Sequence, residues 1–262
     1  MGIVNCTPDS FSDGGHLPDT AAAVDHALRL LDEGADVIDV GGESTRPGAS
    51  PVDVDEEVRR VVPVIEAVRR RRAGALLSVD TSKAAVARRA LESGADLVND
   101  VTAASDPDML DTVVEHDAGI VLMHMRGNPR TMQDDTAYDD VVAEVHASLR
   151  QHARRAAEAG LPADLVWLDP GIGFGKDDDG NLALLAAVPR LAACGHPVVV
   201  GASRKSFIGR RSGTAAPDRR LPGSLAALLP SLEAERVVVR VHDVADTVQF
   251  LELAATLREH RT

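Results

Sequence analysis

Gly34-Ala35-Asp36 and Gly94-Ala95-Asp96 are one turn used twice. Each closes a segment of helical period and opens a short apolar run, Asp36–Val40 after the first and Asp96–Asn99 after the second. A glycine that stops a helix just ahead of a strand marks the return half of a β-then-α unit. Further runs rich in Val, Ile and Leu occur at Met1–Asn5, Leu76–Asp80, Ile120–His124, Leu165–Asp169, Val198–Gly201 and Val237–His242. Continuous apolar character in short runs suits strands buried on both faces of a parallel sheet. About eight such units, with no linker between halves, predict an α/β fold: one (β/α)8 TIM barrel spanning the 262 residues. The Gly171-Ile172-Gly173-Phe174-Gly175 stretch lacks a third glycine at the dinucleotide-binding offset and lies late in the chain, so a Rossmann fold is rejected.

The segments between the runs carry helix signals. Asp53 with Glu56 has the spacing of a capping box, and Ser105 with Asp108 and Asp243 with Asp246 repeat it. Val58, Val61, Val62 and Ile65 form an apolar stripe, inside which Pro63 is expected to kink the helix. Pro230 is expected to kink or split the seventh helix. Gly34, Gly94, Gly119, Gly160 and Gly195 stand where helices should stop, and Arg69–Arg72 suit a helix C-terminus. Asp177-Asp178-Asp179 reads as charge at a helix N-terminus rather than as a metal site.

Composition narrows the function. Hydrophobic residues make up 44%, enough for a sizeable core. The net charge of −13 argues against nucleic acid or an anionic membrane as partner. Cys6 and Cys194, the only cysteines, lie far apart and are read as reduced thiols. Met1-Gly2-Ile3-Val4-Asn5 has no basic or apolar leader, and no apolar run reaches the length of a membrane span, so a cytoplasmic chain is expected. Aromatic residues are only 2%, yet Phe11, Phe174 and Phe207 fall in stretches that read as loops, which hints at a flat ligand.

The residues at the strand ends carry the chemistry. Asn5 ends the first run, Glu43-Ser44-Thr45-Arg46 follow the second, and Asp80 ends the third. Asn99-Asp100, His124 and Asp169 end the next three, Ser203-Arg204-Lys205-Ser206 follow the seventh, and Arg240 and His242 end the eighth. Barrel enzymes hold their active sites on this rim. Asp80, Asn99 and Asp169 offer acceptors and an amide, which suit a heterocycle with ring N–H and amino donors. Lys205, Ser206, Arg240 and His242 offer donors and positive charge, which suit phosphate or diphosphate. Both halves together fit a heterocycle carrying a phosphate leaving group.

With these residues in view, the chain resembles the dihydropteroate synthase family over nearly its whole length. Met1 to Gly15 resembles the family's first-strand signature, with Cys6 where valine is usual, and Gly41-Gly42-Glu43-Ser44-Thr45-Arg46-Pro47-Gly48 resembles its second loop. Ser78-Val79-Asp80-Thr81, Asn99-Asp100-Val101, Leu122-Met123-His124-Met125, Leu168-Asp169-Pro170-Gly171, Ser203-Arg204-Lys205-Ser206 and Arg240-Val241-His242-Asp243 follow in family order. Departures are the loop Asn99–Ala104, which lacks the family's glycines, and a first strand with no segment ahead of it.

The resemblance implies a transferase of folate biosynthesis, a sulfonamide target. It would join p-aminobenzoate to 6-hydroxymethyl-7,8-dihydropterin diphosphate with Mg²⁺ as cofactor. By that carry-over Asp80, Asn99, Asp169 and Lys205 hold the pterin, and Asn5, Arg240 and His242 hold the diphosphate, with Asn5 on the metal. Asp13 pairs Arg46, and these two act with Lys205 and Arg240 in catalysis. Phe11, Thr45, Arg46, Pro47, Phe174 and Ser206 form the p-aminobenzoate pocket. The family also implies a homodimer. Two other readings share parts of the pattern. A pterin-binding methyltransferase acting with a corrinoid protein has no need of the Thr-Pro-Asp-Ser-Phe loop or the Ser-Arg-Lys-Ser site, and both are present. A non-catalytic pterin-binding paralogue would be favoured by missing loop residues, yet Asp13, Arg46, Lys205 and Arg240 are in place.

Overall fold

A computed structural model describes residues 1–7, 20–44, 49–128 and 131–260. All eight expected strands are present: β1 Gly2–Asn5, β2 Val37–Gly41, β3 Leu76–Asp80, β4 Leu97–Asp100, β5 Gly119–Met123, β6 Val166–Asp169, β7 Val198–Val200 and β8 Val237–Val239. Every pair is parallel and the strand order is sequential. β8 stops at Val239, short of the expected His242, because the ladder changes partner there. Arg240 N still donates to the Val200 carbonyl at 3.0 Å. Val241 then pairs with β1, with Ile3 N on its carbonyl at 3.1 Å and its own N on the Met1 carbonyl at 2.9 Å. Those bonds close the barrel and leave no sheet edge.

Helices follow the strands: α1 Thr20–Asp32, α2 Val54–Arg71, α3 Ala84–Glu92, α4 Met109–Glu115, α5 Val141–Glu158, α6 Asp178–Ala186, α7 Val188–Ala192, α8 Ser206–Ser212, α9 Leu221–Ala226 and α10 Val244–Glu259. Two apolar layers result from strand alternation. Ile38, Val40, Leu77, Val79, Val98, Ile120, Leu122, Leu168, Val198 and Val200 pack outward against the helices. Val37, Leu97, Val121 and Val199 fill the lumen with Trp167 and Val238. Two residues further along, the inward positions turn polar, at Asp39, Asn99, Asp169 and Arg240. Period two thus carries each strand from apolar plug to polar mouth.

The local signals are met in part. Asp53 caps α2, its Oδ1 accepting from Glu56 N at 2.8 Å, but Glu56 binds Arg59 and Arg60 instead of reaching back. Asp177 caps α6 through Gly180 N at 2.7 Å, and Asp178 pairs with Arg210. Neither Asp108 nor Asp243 caps its helix by a side-chain bond. Ser105 bonds Thr102 instead, and the Asp243 carboxylate is taken by Arg204. Helix α2 runs through Pro63, whose ring is exposed, so the carbonyl it leaves unpaired faces solvent rather than the core. Pro230 lies in a separate 3-10 turn, Leu229–Glu233, so the segment is split as expected. Gly119 is not a helix stop. Asp117 takes the left-handed position after α4, at φ 51°, and Gly119 opens β5 where a Cβ would lie 2.8 Å from Leu97 Cδ1. Phe207 lies in the first turn of α8, 3% exposed, not in a loop.

Gly160 tests the backbone argument cleanly. It stands at φ +103°, and a Cβ added there would meet nothing within 4 Å, so only strain opposes a side chain. Gly160→Ala is expected to cost about 1 kcal/mol in urea unfolding. An unchanged midpoint would show that this turn relaxes freely.

Candidate active site

At the barrel mouth the inward side chains converge on Arg240. Its Nε donates to Asp39 Oδ2 at 2.6 Å and its Nη2 to Asp80 Oδ2 at 2.7 Å. Asn99 Nδ2 donates to the same Asp39 oxygen at 2.9 Å. One guanidinium from the end of β8 therefore bridges carboxylates on β2 and β3 and, through Asp39, orders an amide on β4. Arg240, expected with the basic set, thus pairs with Asp80 of the acidic set and with Asp39.

The carboxylates of the cluster are largely buried, and charge responds to that burial. Asp39 is fully buried, and among the described residues its Oδ1 has no hydrogen-bond partner. Burial pushes the Asp80 carboxyl up to about 7 against the pull of Arg240, with Asp39 adding to the push. Burial likewise raises Asp169, although Gly171 N donates to its Oδ1 at 2.6 Å and Lys205 opposes the shift. Burial lowers Lys205 to about 8, less than it would without Asp169. For Arg240 burial works against the charge, but Asp39 and Asp80 outweigh it and hold the guanidinium above its ordinary value. Opposed shifts among close groups are a pattern that functional sites share.

Lys205 comes from the loop after β7, and its ammonium lies 4.2 Å from the centre of the Phe174 ring, in cation–π contact. Phe174 belongs to the loop after β6. The Ser203 hydroxyl meets His242 Nδ1 at 3.0 Å, which fixes the imidazole beside the mouth. Asn5 ends β1 in register with Gly41, the residue paired to Asp80. Ser206 is the exposed first residue of α8. Phe11, Asp13, Thr45, Arg46 and Pro47 lie outside the described residues.

Several strand-end residues point elsewhere. Asp100 accepts from Thr102 N and Ala104 N at 2.7 and 2.8 Å and so builds its own loop. Ala103 and Ala104 there adopt φ 54° and 56°, the conformations that the missing glycines would accommodate without strain. His124 lies with Leu122 on the outward alternation of β5. Burial lowers its imidazole to about 3, with Lys176 adding to the shift, and its Nδ1 is buried with no hydrogen-bond partner among the described residues. Arg204, at φ 58°, turns to Asp243.

Two residues are missed by reading strand ends alone. Asp39 interrupts Val37-Ile38-Asp39-Val40, and a charge inside a strand buried on both faces is its signal. Lys176 is 2% exposed and has no such signal, since it stands beside an acidic run.

An eight-stranded parallel barrel whose mouth gathers acids, an amide and cations defines a pterin-binding barrel. The family model described as "Pterin binding enzyme" matches residues 1–242. Dihydropteroate synthase of Escherichia coli (strain K12) is 45% identical over 98% of this chain and 91% of its own length. The structure of Xanthomonas albilineans dihydropteroate synthase with 4-aminobenzoic acid superimposes with a TM-score of 0.91 at 49% identity, covering 98% of this chain and 92% of that one. A Yersinia pestis dihydropteroate synthase with a sulfonamide drug complex gives 0.91 at 42% identity, covering 99% and 94%. The chain belongs to the pterin-binding enzyme family and, within it, to the dihydropteroate synthases.

The raised Asp80 carboxyl has a measurable consequence. Between its ordinary 3.8 and about 7 the folded chain keeps a proton that the unfolded chain has released. Stability from this group therefore falls as pH rises through that window. Asp80→Asn is expected to flatten that part of the decline in thermal unfolding of the unliganded protein. Equal slopes for variant and parent would show that Asp80 ionises normally.

Proposed function

We propose that the chain condenses p-aminobenzoate with 6-hydroxymethyl-7,8-dihydropterin diphosphate, giving 7,8-dihydropteroate and diphosphate in folate biosynthesis. The observation that carries this reading is the clustering of Asp80, Asn99, Asp169, Lys205 and Arg240 at one mouth. Heterocycle acceptors and leaving-group cations share a single, largely buried site there.

Each residue has a task in that reaction. Asn99 commits its Nδ2 to Asp39, which leaves Oδ1 to accept from the pterin. Asp169 commits Oδ1 to Gly171 N, which leaves Oδ2 for the same purpose. Lys205 would donate to the pterin, and its contact with Phe174 supports an aromatic wall beside that position. The aryl amine is a neutral nucleophile and needs little help from a base. The demanding step is C–O cleavage, with diphosphate leaving while the electron-rich pterin spreads positive charge from its methylene. Arg240, Lys205 and His242 stabilise the departing charge, and such fixed cations in a water-poor site are worth most where charge develops.

Mg²⁺, when bound, would neutralise part of the diphosphate charge. Asn5 would hold it, since Mg²⁺ keeps several waters and takes one or two protein oxygens besides those of a substrate phosphate. A lone amide oxygen at the end of β1 fits a cation that arrives on the diphosphate.

The p-aminobenzoate pocket is assigned to Phe174 and Ser206, with Phe11, Thr45, Arg46 and Pro47 supplied by the first two loops. Sulfonamides, which share the aniline of p-aminobenzoate, would compete there. A homodimer is supported by Leu229, Leu253 and Leu257, which are 54%, 60% and 57% exposed on the last 3-10 turn and the α10 helix it touches. A cytoplasmic location is supported by Cys6 and Cys194, both free thiols. No helix among the described residues is long and apolar enough to cross a membrane.

The deciding measurement is diphosphate release from the pterin diphosphate with and without p-aminobenzoate and Mg²⁺. A p-aminobenzoate-dependent pterin product is expected, and its absence would sink the synthase reading. Asp169→Asn should weaken pterin diphosphate binding by on the order of 3–5 kcal/mol in calorimetry, as loss of a buried ionic partner does. Unchanged affinity would remove Asp169 from the pterin grip. Arg46→Ala should spare that affinity and raise the KM for p-aminobenzoate, and the reverse outcome would reassign the second loop.

A further inference from the structure

Three backbone carbonyls converge on Lys176, a side chain only 2% exposed. Its Nζ donates to the carbonyl of His124 after β5 at 3.2 Å, to that of Gly171 at 2.9 Å and to that of Phe174 at 2.7 Å. An ammonium has three protons, and these acceptors use all of them. No carboxylate among the described residues lies within ion-pair distance of it. A buried lysine held by neutral carbonyls alone is costly, and its benefit should be sought in what it holds.

It holds the loop after β6. Gly171 stands at φ +68°, and a Cβ there would lie 2.0 Å from the same His124 oxygen, so the loop is pressed onto the end of β5. Asn181 secures the loop from α6: its Oδ1 accepts from Gly173 N at 2.6 Å, and its Nδ2 donates to the Lys176 carbonyl at 3.3 Å. Phe174 rides on this loop, its carbonyl bound by Lys176 and its ring covered by Lys205.

We propose that Lys176 is a positioning residue for the second substrate: by gathering the carbonyls of His124, Gly171 and Phe174 it fixes the aromatic wall against which the aryl amine lies. This rests on the reading of Phe174 as part of the p-aminobenzoate pocket. Lys176 does not touch the reacting atoms. It acts through Phe174.

The charges around Lys176 come from three strands. Burial lowers it to about 7; Asp169 on β6 works against that shift, while Lys205 after β7 and Arg126 after β5 add to it. His124 beside it is neutral at that pH. The pin is therefore strongest below neutrality and loses a proton above it.

Lys176→Met keeps an apolar side chain in the slot and removes every donor. The KM for p-aminobenzoate should rise about tenfold, the scale of a lost charge-assisted contact, while kcat and pterin diphosphate affinity change less than about threefold. In a Phe174→Ala background that rise should vanish, because both changes act on one wall. A fall in kcat at constant KM, a parallel loss of pterin diphosphate affinity, full additivity with Phe174→Ala or unchanged constants would each overturn the proposal. Absence of any p-aminobenzoate-dependent product from the unaltered chain would overturn the synthase reading instead. If Lys176→Met does not fold, the unaltered chain decides. Its KM for p-aminobenzoate should be higher on the alkaline side of about 7 than on the acid side, and that rise should be absent in Phe174→Ala; a constant value, or a rise that Phe174→Ala retains, would overturn the proposal.

Discussion

Arg240 reaches past β1 to bind Asp39 on β2 and Asp80 on β3, and the arrangement of the mouth depends on that reach. One guanidinium there faces two largely buried carboxylates. Burial leaves the Asp80 carboxylate poorly solvated and, with Asp39 adding to the push, raises it to about 7 against the pull of Arg240. A ligand edge that donates hydrogen bonds relieves this. The cluster thus makes the unliganded site worse and the filled site better, as a binding site should. It also explains why Asp39 tolerates a buried oxygen without a partner among the described residues: its other oxygen orders both Arg240 and Asn99.

The same cluster makes barrel closure part of the chemistry. Arg240 follows β8 directly, and Val241 next to it supplies the bonds to β1 that close the ring. Were β8 to slip by one residue, Arg240 would face the helices and Val241 the mouth. Register, closure and the ion cluster therefore stand or fall together. This is why the eighth strand can be brief, with three residues in its ladder, and still place a functional side chain accurately.

Much of this was legible in the sequence, and the limits have a physical reason. The strands were legible because burial on both faces leaves unbroken Val-Ile-Leu runs, as in Val198–Val200. Asp80, Asn99, Asp169 and Arg240 were legible as polar strand ends. The strand-end rule ignores alternation, however. It ranked Asp100 and His124 with the rim, although both point outward, and passed over Asp39, which points inward from mid-strand. Counting by two from Asn99 back to Leu97, or from Asp169 back to Trp167, separates the two faces. Caps were less legible, because carboxylates choose among donors that lie far away in the chain. Asp243 left its helix for Arg204, whose position no local spacing reveals.

Lys176 marks the deeper limit. Its acceptors are backbone carbonyls, and carbonyls have no residue type to read. Only the fold brings His124, Gly171 and Phe174 to one point, and only the left-handed Gly171 lets them come so close. The loop after β6 is thereby tied to β5 by a charge as well as by the packing of Ile172 into the core. A charge can be weakened without unfolding anything, whereas a packed apolar contact cannot. The wall that carries Phe174 is accordingly open to adjustment by the charge on Lys176, as the opposite side of the mouth is by the charge on Asp80.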